Sequence, residues 1–404
     1  MKIYTKTGKT SVYFDQSIVE VVYARSRFEK GPRFEQGSVF WHDQHDAAQH
    51  GLYFNDFLDY PISKHLRKDR TSKILLWYGD EYFNKLDIEI IAKVLIETKV
   101  PDDQLYIICI DENFKKWAGD MFTELGLPNV NITALNVLMK RVVSPPLTPT
   151  PMKYRFSTFS RNYLKFRLQL FCQLIEKDIL KNFDYTFNNI MPYGEVITFS
   201  HDEMLTHAEE MGHSRTSELT NWMSKVPYTL ESTSELPGWQ DKMATGIYDK
   251  LASAGISVII ESHFDPFWNF KGHTYEDFRK FSPAFPTEKT YKTIGCTKPF
   301  MVVSTPEFLK EFKQLGYKTF HPYIDETYDT IENDNDRMKA ITSEIERLSN
   351  LSDQEFAEVV TKCTKIAKHN AQVMQTKQAN YSFPLEFKWA EEIMVDTFAK
   401  PRVT

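Results

Sequence analysis

The sequence predicts an α/β protein of two Rossmann-like halves facing each other across a cleft, with a helical C-terminus. Three observations carry this expectation. The chain has 404 residues, more than one ordinary core accommodates. A proline-dense connector lies near its middle. On each side of the connector, apolar runs follow a β-α-β-α-β order, which implies parallel sheets with right-handed crossovers.

The connector is Ser144-Pro-Pro-Leu-Thr-Pro-Thr-Pro-Met152. Its prolines cannot continue a helix or a central strand and favour an extended, semi-rigid link. The chain is therefore divided into an N-terminal α/β domain (1–143), a linker (144–152), a second α/β domain (153–375) and a final helix (376–404) that returns to the first domain.

Before the linker, Lys73 to Tyr78 and Gln104 to Ile110 are apolar enough for buried strands, and Asn129 to Leu135 is a third. Between them, Leu86 to Glu97 has helical apolar spacing, and Asn113 to Leu125 is a helix ended by Gly126 and Pro128. The first seventy residues give no clear pattern. After the linker, Tyr154 to Phe159 alternates as a strand, Arg161 to Leu180 is an amphipathic helix, and Tyr185 to Phe187 is a short strand. Ile247 to Ala254 reads as a helix stopped by Gly255, followed by a buried strand from Ile256 that ends in Glu261. Then come a helix (Thr287 to Cys296), a strand (Pro299 to Ser304), a helix (Pro306 to Leu315) and a strand (Tyr317 to Phe320). Asn333 to Lys400 is mostly helical.

The composition, with 42% hydrophobic and 26% charged residues, is that of a globular protein. No apolar run approaches the roughly 18–20 residues that cross a bilayer, and the start lacks an apolar signal core. Four scattered cysteines (Cys109, Cys172, Cys296, Cys363) fit a reducing compartment, so the expected location is the cytoplasm of a bacterial or phage-infected cell, with no membrane partner. A net charge of −6 argues weakly against a surface made wholly for nucleic acid. Lys64, Arg67, Lys68, Arg70 and Lys73 nonetheless cluster, while Asp325 to Glu346 is acidic. Both read most simply as solvated surface, Asp325, Glu326 and Asp329 forming a turn.

Open parallel sheets bind ligands at the carboxyl ends of their strands. The segment from Phe285 to Val303 fits that role for a nucleotide diphosphate. It delivers Thr287-Glu288-Lys289-Thr290 to a helix start, where unpaired N–H groups and the positive dipole end suit phosphate. Lys289 adds a point charge, and Glu288 can accept hydrogen bonds from ribose hydroxyls. Thr287 either joins them or simply caps the helix, with Thr290 on its first turn. The plainer reading makes Glu288 and Lys289 a pair on a surface helix.

This "(S/T)EK" helix start, preceded by a strand ending in Glu261 and followed by a short helix and the Pro299-Phe-Met-Val strand, resembles the donor-binding half of GT-B glycosyltransferases, with the α1,3-fucosyltransferases the nearest family. In that family the Glu and Lys of the motif contact ribose and phosphate, which here falls on Glu288 and Lys289. The resemblance covers about a fifth of the chain, from Val258 to Phe320, and the segment Phe264 to Phe285 interrupts it, so it does not imply GDP-fucose. The stretch from Glu288 through Gly316 to Asp329 is also similar to bacterial and phage proteins that look like glycosyltransferases. The resemblance implies a nucleotide-sugar donor as co-substrate, no other cofactor and no metal.

Arg161, just past the first strand of the second half, could clamp the diphosphate, and Arg167 lies two turns further on as a second cation. Glu261 could meet ribose or sugar hydroxyls, or pair with a lysine. The first half should supply the acceptor contacts and, for an inverting transfer, a general base. Asp80 and Glu81 follow a predicted strand; Asp43 sits in the cluster Trp41-His-Asp-Gln-His-Asp46, whose metal-binding reading is the weaker one. The acceptor is a hydroxyl of a glycan, a protein or a hydroxymethylated DNA base. A non-catalytic nucleotide- or DNA-binding protein on the same scaffold is the alternative.

Overall fold

The structure is a computed structural model. It describes residues 2–5, 20–23, 39–43, 58, 60–77, 85–109, 112–134, 139, 151–160, 162–191, 197–228, 250–261, 264 and 286–380. The described residues fall into two compact units, one within Met1–Arg141 and the other within Val142–Trp268 and Ala284–Ala379. Linker residues 144–150 and everything after Asn380, including most of the expected returning helix, lie outside the described residues.

The first unit holds strands β1 (Lys2–Thr5), β2 (Glu20–Tyr23), β3 (Val39–Asp43), β4 (Lys73–Trp77), β5 (Leu105–Cys109) and β6 (Asn131–Ala134). All pair in parallel, in the order β2-β1-β3-β4-β5-β6. Helices α1 (Tyr60–Lys68), α2 (Lys85–Thr98) and α3 (Glu112–Glu124) connect the later strands. Ile74, Leu76 and Ile107 from the sheet share a core with Leu66, Ile91, Leu95 and Phe122 from the helices, while Leu75, which alternates to the other face, is also buried. Burial on both faces explains why these strands read as continuous apolar runs. The first three strands had no such signature. Gly126, at φ +83, ends α3 in the left-handed region.

The second unit holds β7 (Tyr154–Phe159), α4 (Lys165–Glu176), β8 (Phe183–Thr186), a short antiparallel pair β9 (Ile190–Met191) and β10 (Ile197–Thr198), α5 (His201–Glu210) and α6 (Ser217–Met223). There follow β11 (Ala254–Ile260), α7 (Glu288–Gly295), β12 (Phe300–Val303), α8 (Phe308–Gln314), α9 (Asp334–Ser349) and α10 (Asp353–Asn380). The main sheet is parallel, in the order β12-β11-β7-β8. Two parallel Rossmann-like sheets and a helical C-terminal region are therefore present, as the sequence predicts.

Four local expectations are corrected. The helix predicted from Arg161 begins only at Lys165, because the amides of Ser160 and Tyr163 donate to the carbonyls of Thr186 and Ile190. The expected helix runs through Ser253, but Gly255 is not its stop signal; it lies inside β11, where an added Cβ would come within 2.7 Å of the Phe356 ring and 3.1 Å of the Arg155 carbonyl. Tyr317 to Phe320 forms no strand. Asn370, fully buried on α10, accepts from the Lys318 amide and donates to its carbonyl, both at 2.8 Å, so a side chain takes the place of a strand partner. The turn at Asp325 to Asp329 is not simply solvated. Asp329 is 8% exposed and accepts from the amides of Leu309 and Lys310 at the start of α8, while Glu326 accepts from the Phe320 amide.

Candidate functional site

Strand order decides where each unit offers a crevice. A chain that fills one side of its first strand and then the other leaves an opening at the carboxyl ends of the strands where the direction reverses. In the first unit that point lies between β1 and β3, and Asp43 is the last residue of β3, paired with Trp77. The Asp43 side chain, and Asp80 and Glu81 altogether, lie outside the described residues. In the second unit the point lies between β7 and β11, whose ends are followed by Ser160 and Glu261.

Glu261 is the centre of what the structure assembles there. It is 1% exposed, and a buried carboxylate needs donors. The Thr287 amide supplies one to Oε1 at 3.0 Å, the Thr287 hydroxyl another to Oε2 at 2.5 Å, and the Thr290 hydroxyl a third to Oε1 at 2.6 Å. The ammonium of Lys289 stands 3.8 Å from Oε2, with its side chain 28% exposed. Thr287 caps α7 through its own hydroxyl, which accepts from the Lys289 amide at 3.3 Å. Thus the end of β11 and the first turn of α7 are one hydrogen-bonded unit. It brings together Glu261, Thr287, Lys289 and Thr290, with Glu288 half-buried as the first helical residue.

This arrangement does two things chemically. The buried carboxylate satisfies donors of the helix start from inside, and the lysine beside it retains an exposed flank on which an anion could settle. A helix N-terminus favours negative charge by about 0.3–1 kcal/mol at exposed sites and about 2 kcal/mol at partly buried ones, so Glu261 itself draws on that field.

The other predicted cations are placed differently. Arg161 lies outside the described residues. Arg167 is 3% exposed; its guanidinium donates to the Asn162 carbonyl at 2.8 Å and lies over the Phe166 ring at 5.7 Å. It therefore braces the residues after β7.

Sequence reasoning missed Arg337, on the first turn of α9. It is 1% exposed and donates to the carbonyls of Ser304, Ile331, Glu332 and Phe264 and to the Asp334 carboxylate. Its plane lies 4.3 Å from the centre of the Phe264 ring, which stacks on Phe166 from α4. Phe264, three residues beyond Glu261, is thereby fixed to the end of β12 and the start of α4. No motif signals this, because an arginine in an acidic helix reads as a surface charge.

The basic group on α1 is also partly engaged. Just beyond α1, one nitrogen of Arg70, Nη2, donates to both carboxylate oxygens of Asp103 at 2.7 Å, and Arg67 donates to the Thr98 carbonyl. Among the described residues there is no group of three or more His, Cys, Asp or Glu that could hold a metal ion, and no helix long and apolar enough to cross a membrane. His45 and Asp46 of the predicted cluster lie outside the described residues.

Neither a protein-family model nor a curated protein matches the sequence. Among solved structures, the chain is similar to the GtfA/B complex at a TM-score of 0.40 and 10% identity, over 91% of this chain and 58% of that one. It is also similar to the trehalose-6-phosphate synthase OtsA at a TM-score of 0.41 and 12% identity, over 86% of this chain and 74% of that one. The chain thus spans little more than half the length of the first. Likenesses this slight carry no activity across.

Proposed function

We propose that this protein is a glycosyltransferase of the GT-B type, which moves a sugar from a nucleotide-sugar donor to a hydroxyl acceptor. The observation that carries the reading is the position of the α7 start. It stands at the switch point of a doubly wound sheet and presents Lys289, partly exposed, beside a helix N-terminus. In this reading the diphosphate lies against Lys289 and the first turn of α7, Glu288 accepts from ribose hydroxyls, and Arg161 adds a second cation. The acceptor oxygen attacks the anomeric carbon, its proton passes to a carboxylate, and the nucleotide leaves with both bonding electrons. Positive groups at the leaving diphosphate stabilise the charge that develops there. Asp43, at the end of β3, is the first candidate for the base, with Asp80 and Glu81 next. No cofactor beyond the donor is called for. The acceptor is a glycan, a protein or a hydroxymethylated DNA base.

Thermal unfolding with UDP, GDP, CMP and their sugar conjugates tests this. One nucleotide should raise the midpoint of wild type, by about 2.7 kcal/mol of stabilisation at a hundred times its Kd, and should fail to raise that of Lys289→Ala. Equal shifts in wild type and variant would place the nucleotide elsewhere.

A second reading is favoured by one observation. Glu261 already takes the Thr287 amide and both threonine hydroxyls, as it would in a scaffold that no longer turns over a donor. Slow hydrolysis of the bound sugar nucleotide supports the transferase; binding without any hydrolysis supports the non-catalytic protein.

A further inference from the structure

We infer that the amino edge of the first sheet is a docking surface for the phosphodiester backbone of a nucleic acid, held by charge and without reading sequence. Five of the ten residues from Lys64 to Lys73 are lysine or arginine and one is acidic, in a chain whose net charge is −6. Folding adds a cation from elsewhere. Arg67 and Lys68 close α1, and Lys73 opens β4. The bond from Arg67 to the Thr98 carbonyl sets the end of α1 against the end of α2, where Lys99 follows. Arg67, Lys68, Arg70 and Lys99 are all exposed, Arg70 keeping 55% of its side chain exposed beside Asp103.

Cations at the end of a helix answer its negative pole. That accounts for Arg67, Lys68 and Lys99 but not for Arg70 and Lys73, which lie beyond α1. Neutral groups meet part of the charge: Arg67 donates to a carbonyl, and Lys73 lies 5.3 Å from the centre of the Tyr106 ring. The one acid in the run, Asp69, is 13% exposed and accepts from the Thr71 and Ser72 hydroxyls. Of the other acids at this edge, Asp103 takes Arg70, Asp102 the Asn129 amide, and Glu97 stands 3.9 Å from Lys93. A surplus of positive charge remains. Ile62 and Leu66, the apolar residues of α1, are buried, so the helix offers no apolar wedge to a bilayer. A row of phosphates asks only for charge. Asp43 ends β3 at the opposite edge of the sheet, so this face docks a polymer away from the proposed chemistry, and the inference does not depend on the donor site.

The test titrates the full chain into a fluorescent DNA duplex of mixed sequence, about 20 base pairs long, and follows anisotropy across a salt series. Each phosphate neutralised contributes about 0.9 to the slope of log affinity against log salt. With about four cations engaged, wild type should lose affinity roughly a hundredfold between about 50 and 200 mM salt. Lys68→Gln combined with Lys99→Gln should weaken low-salt binding by about tenfold or more and flatten the slope by about 1.8. Lys365→Gln with Lys368→Gln removes the same charge from exposed positions on α10, and should leave affinity and slope unchanged.

A duplex that fails to bind wild type at the lowest salt overturns the proposal and returns these cations to plain solvated surface. So does a slope that is the same in the Lys68 and Lys99 variant, because the nucleic acid then lies elsewhere. Vesicles of phosphatidylserine and phosphatidylcholine are the rival probe. If they bind more tightly than the duplex, and through the same two lysines, the face docks a membrane and the proposal is wrong. Thermal shifts with nucleotides test the donor site separately, so either reading can fail without the other.

Discussion

Asp329 shows how far a single carboxylate's environment decides its role. Its acidic neighbours in sequence suggest a solvated turn, yet it is buried beneath the start of α8 and holds two of that helix's amides. Burial pushes its carboxyl up to about 6, against the pull of the Leu309 and Lys310 amides in the other direction. Because the folded value lies above the ordinary one of 3.8, the unfolded chain loses this proton first as pH rises. Stability from this group is therefore highest below pH 4 and declines up to pH 6, by an amount on the order of 3 kcal/mol. Asp329→Asn removes the titration. The difference in unfolding free energy between wild type and variant should fall as pH rises from 4 to 6.5 and then level off. A difference that stays flat across this range would show that Asp329 keeps an ordinary value.

The same lesson holds for the candidate site at this scale. Lys289 and Thr287 were legible in the sequence because they stand at a helix start. The partnership of Glu261 with Thr287 and Thr290 was not, since a bond between residues 26 and 29 positions apart leaves no local trace. Arg337 was illegible for the same reason: its carbonyl partners include Phe264, 73 positions away.

Among the elements, those with two buried faces or a clear helical stripe were the ones the sequence showed well. Strands β4, β5, β7 and β12 and helices α2 and α3 fall within a residue or two of their predicted ends. Strands β1 to β3 were missed, their runs of four or five residues being too short to set a period. Gly255 is the instructive error. A glycine after a helical run looks like a stop signal, but here it admits Phe356 of α10 against the sheet. Gly255→Ala should accordingly cost about 1–3 kcal/mol through overpacking, read as a lower denaturant midpoint with an unchanged slope. A neutral result would mean that Met152 and the Phe356 ring yield without strain. Between α4 and α9 the packing is polar as well. Gln169 donates to Asn335 at 2.8 Å, Thr342 to Gln173 at 2.6 Å, and Lys177 to Glu346 at 2.5 Å. Gln169 and Gln173 of α4 and Lys177, which caps its end, recur every four positions, which puts them on one face and fixes the register of the two helices.

For the molecule as a whole, the two units are best tested through the residue that ties one of them together. Ser304, Ile331, Glu332, Phe264 and Asp334, to which Arg337 donates, lie within the second unit. Removing one partner from a buried charged network costs about 3–5 kcal/mol. Arg337→Met should therefore lower amide protection in β7, β11 and β12 and leave β4, β5 and β6 as they were. Uniform loss over both sheets would show that the units unfold as one. Arg337→Lys should rescue little, because an ammonium cannot supply the donor fork of a guanidinium.

By itself the sequence determined the class of this protein: two α/β units, their parallel sheets, the helical end, and a helix start carrying Thr287, Glu288 and Lys289. Such features are written in periodicity and in capping chemistry, which act over a few residues. Only the tertiary structure decided that this helix start stands at a switch point, that Glu261 faces inward to it, and that Arg337, Asp329 and Asn370 are buried. Those outcomes depend on which distant backbone groups are left without partners once the sheet has closed, and burial makes each of them find one.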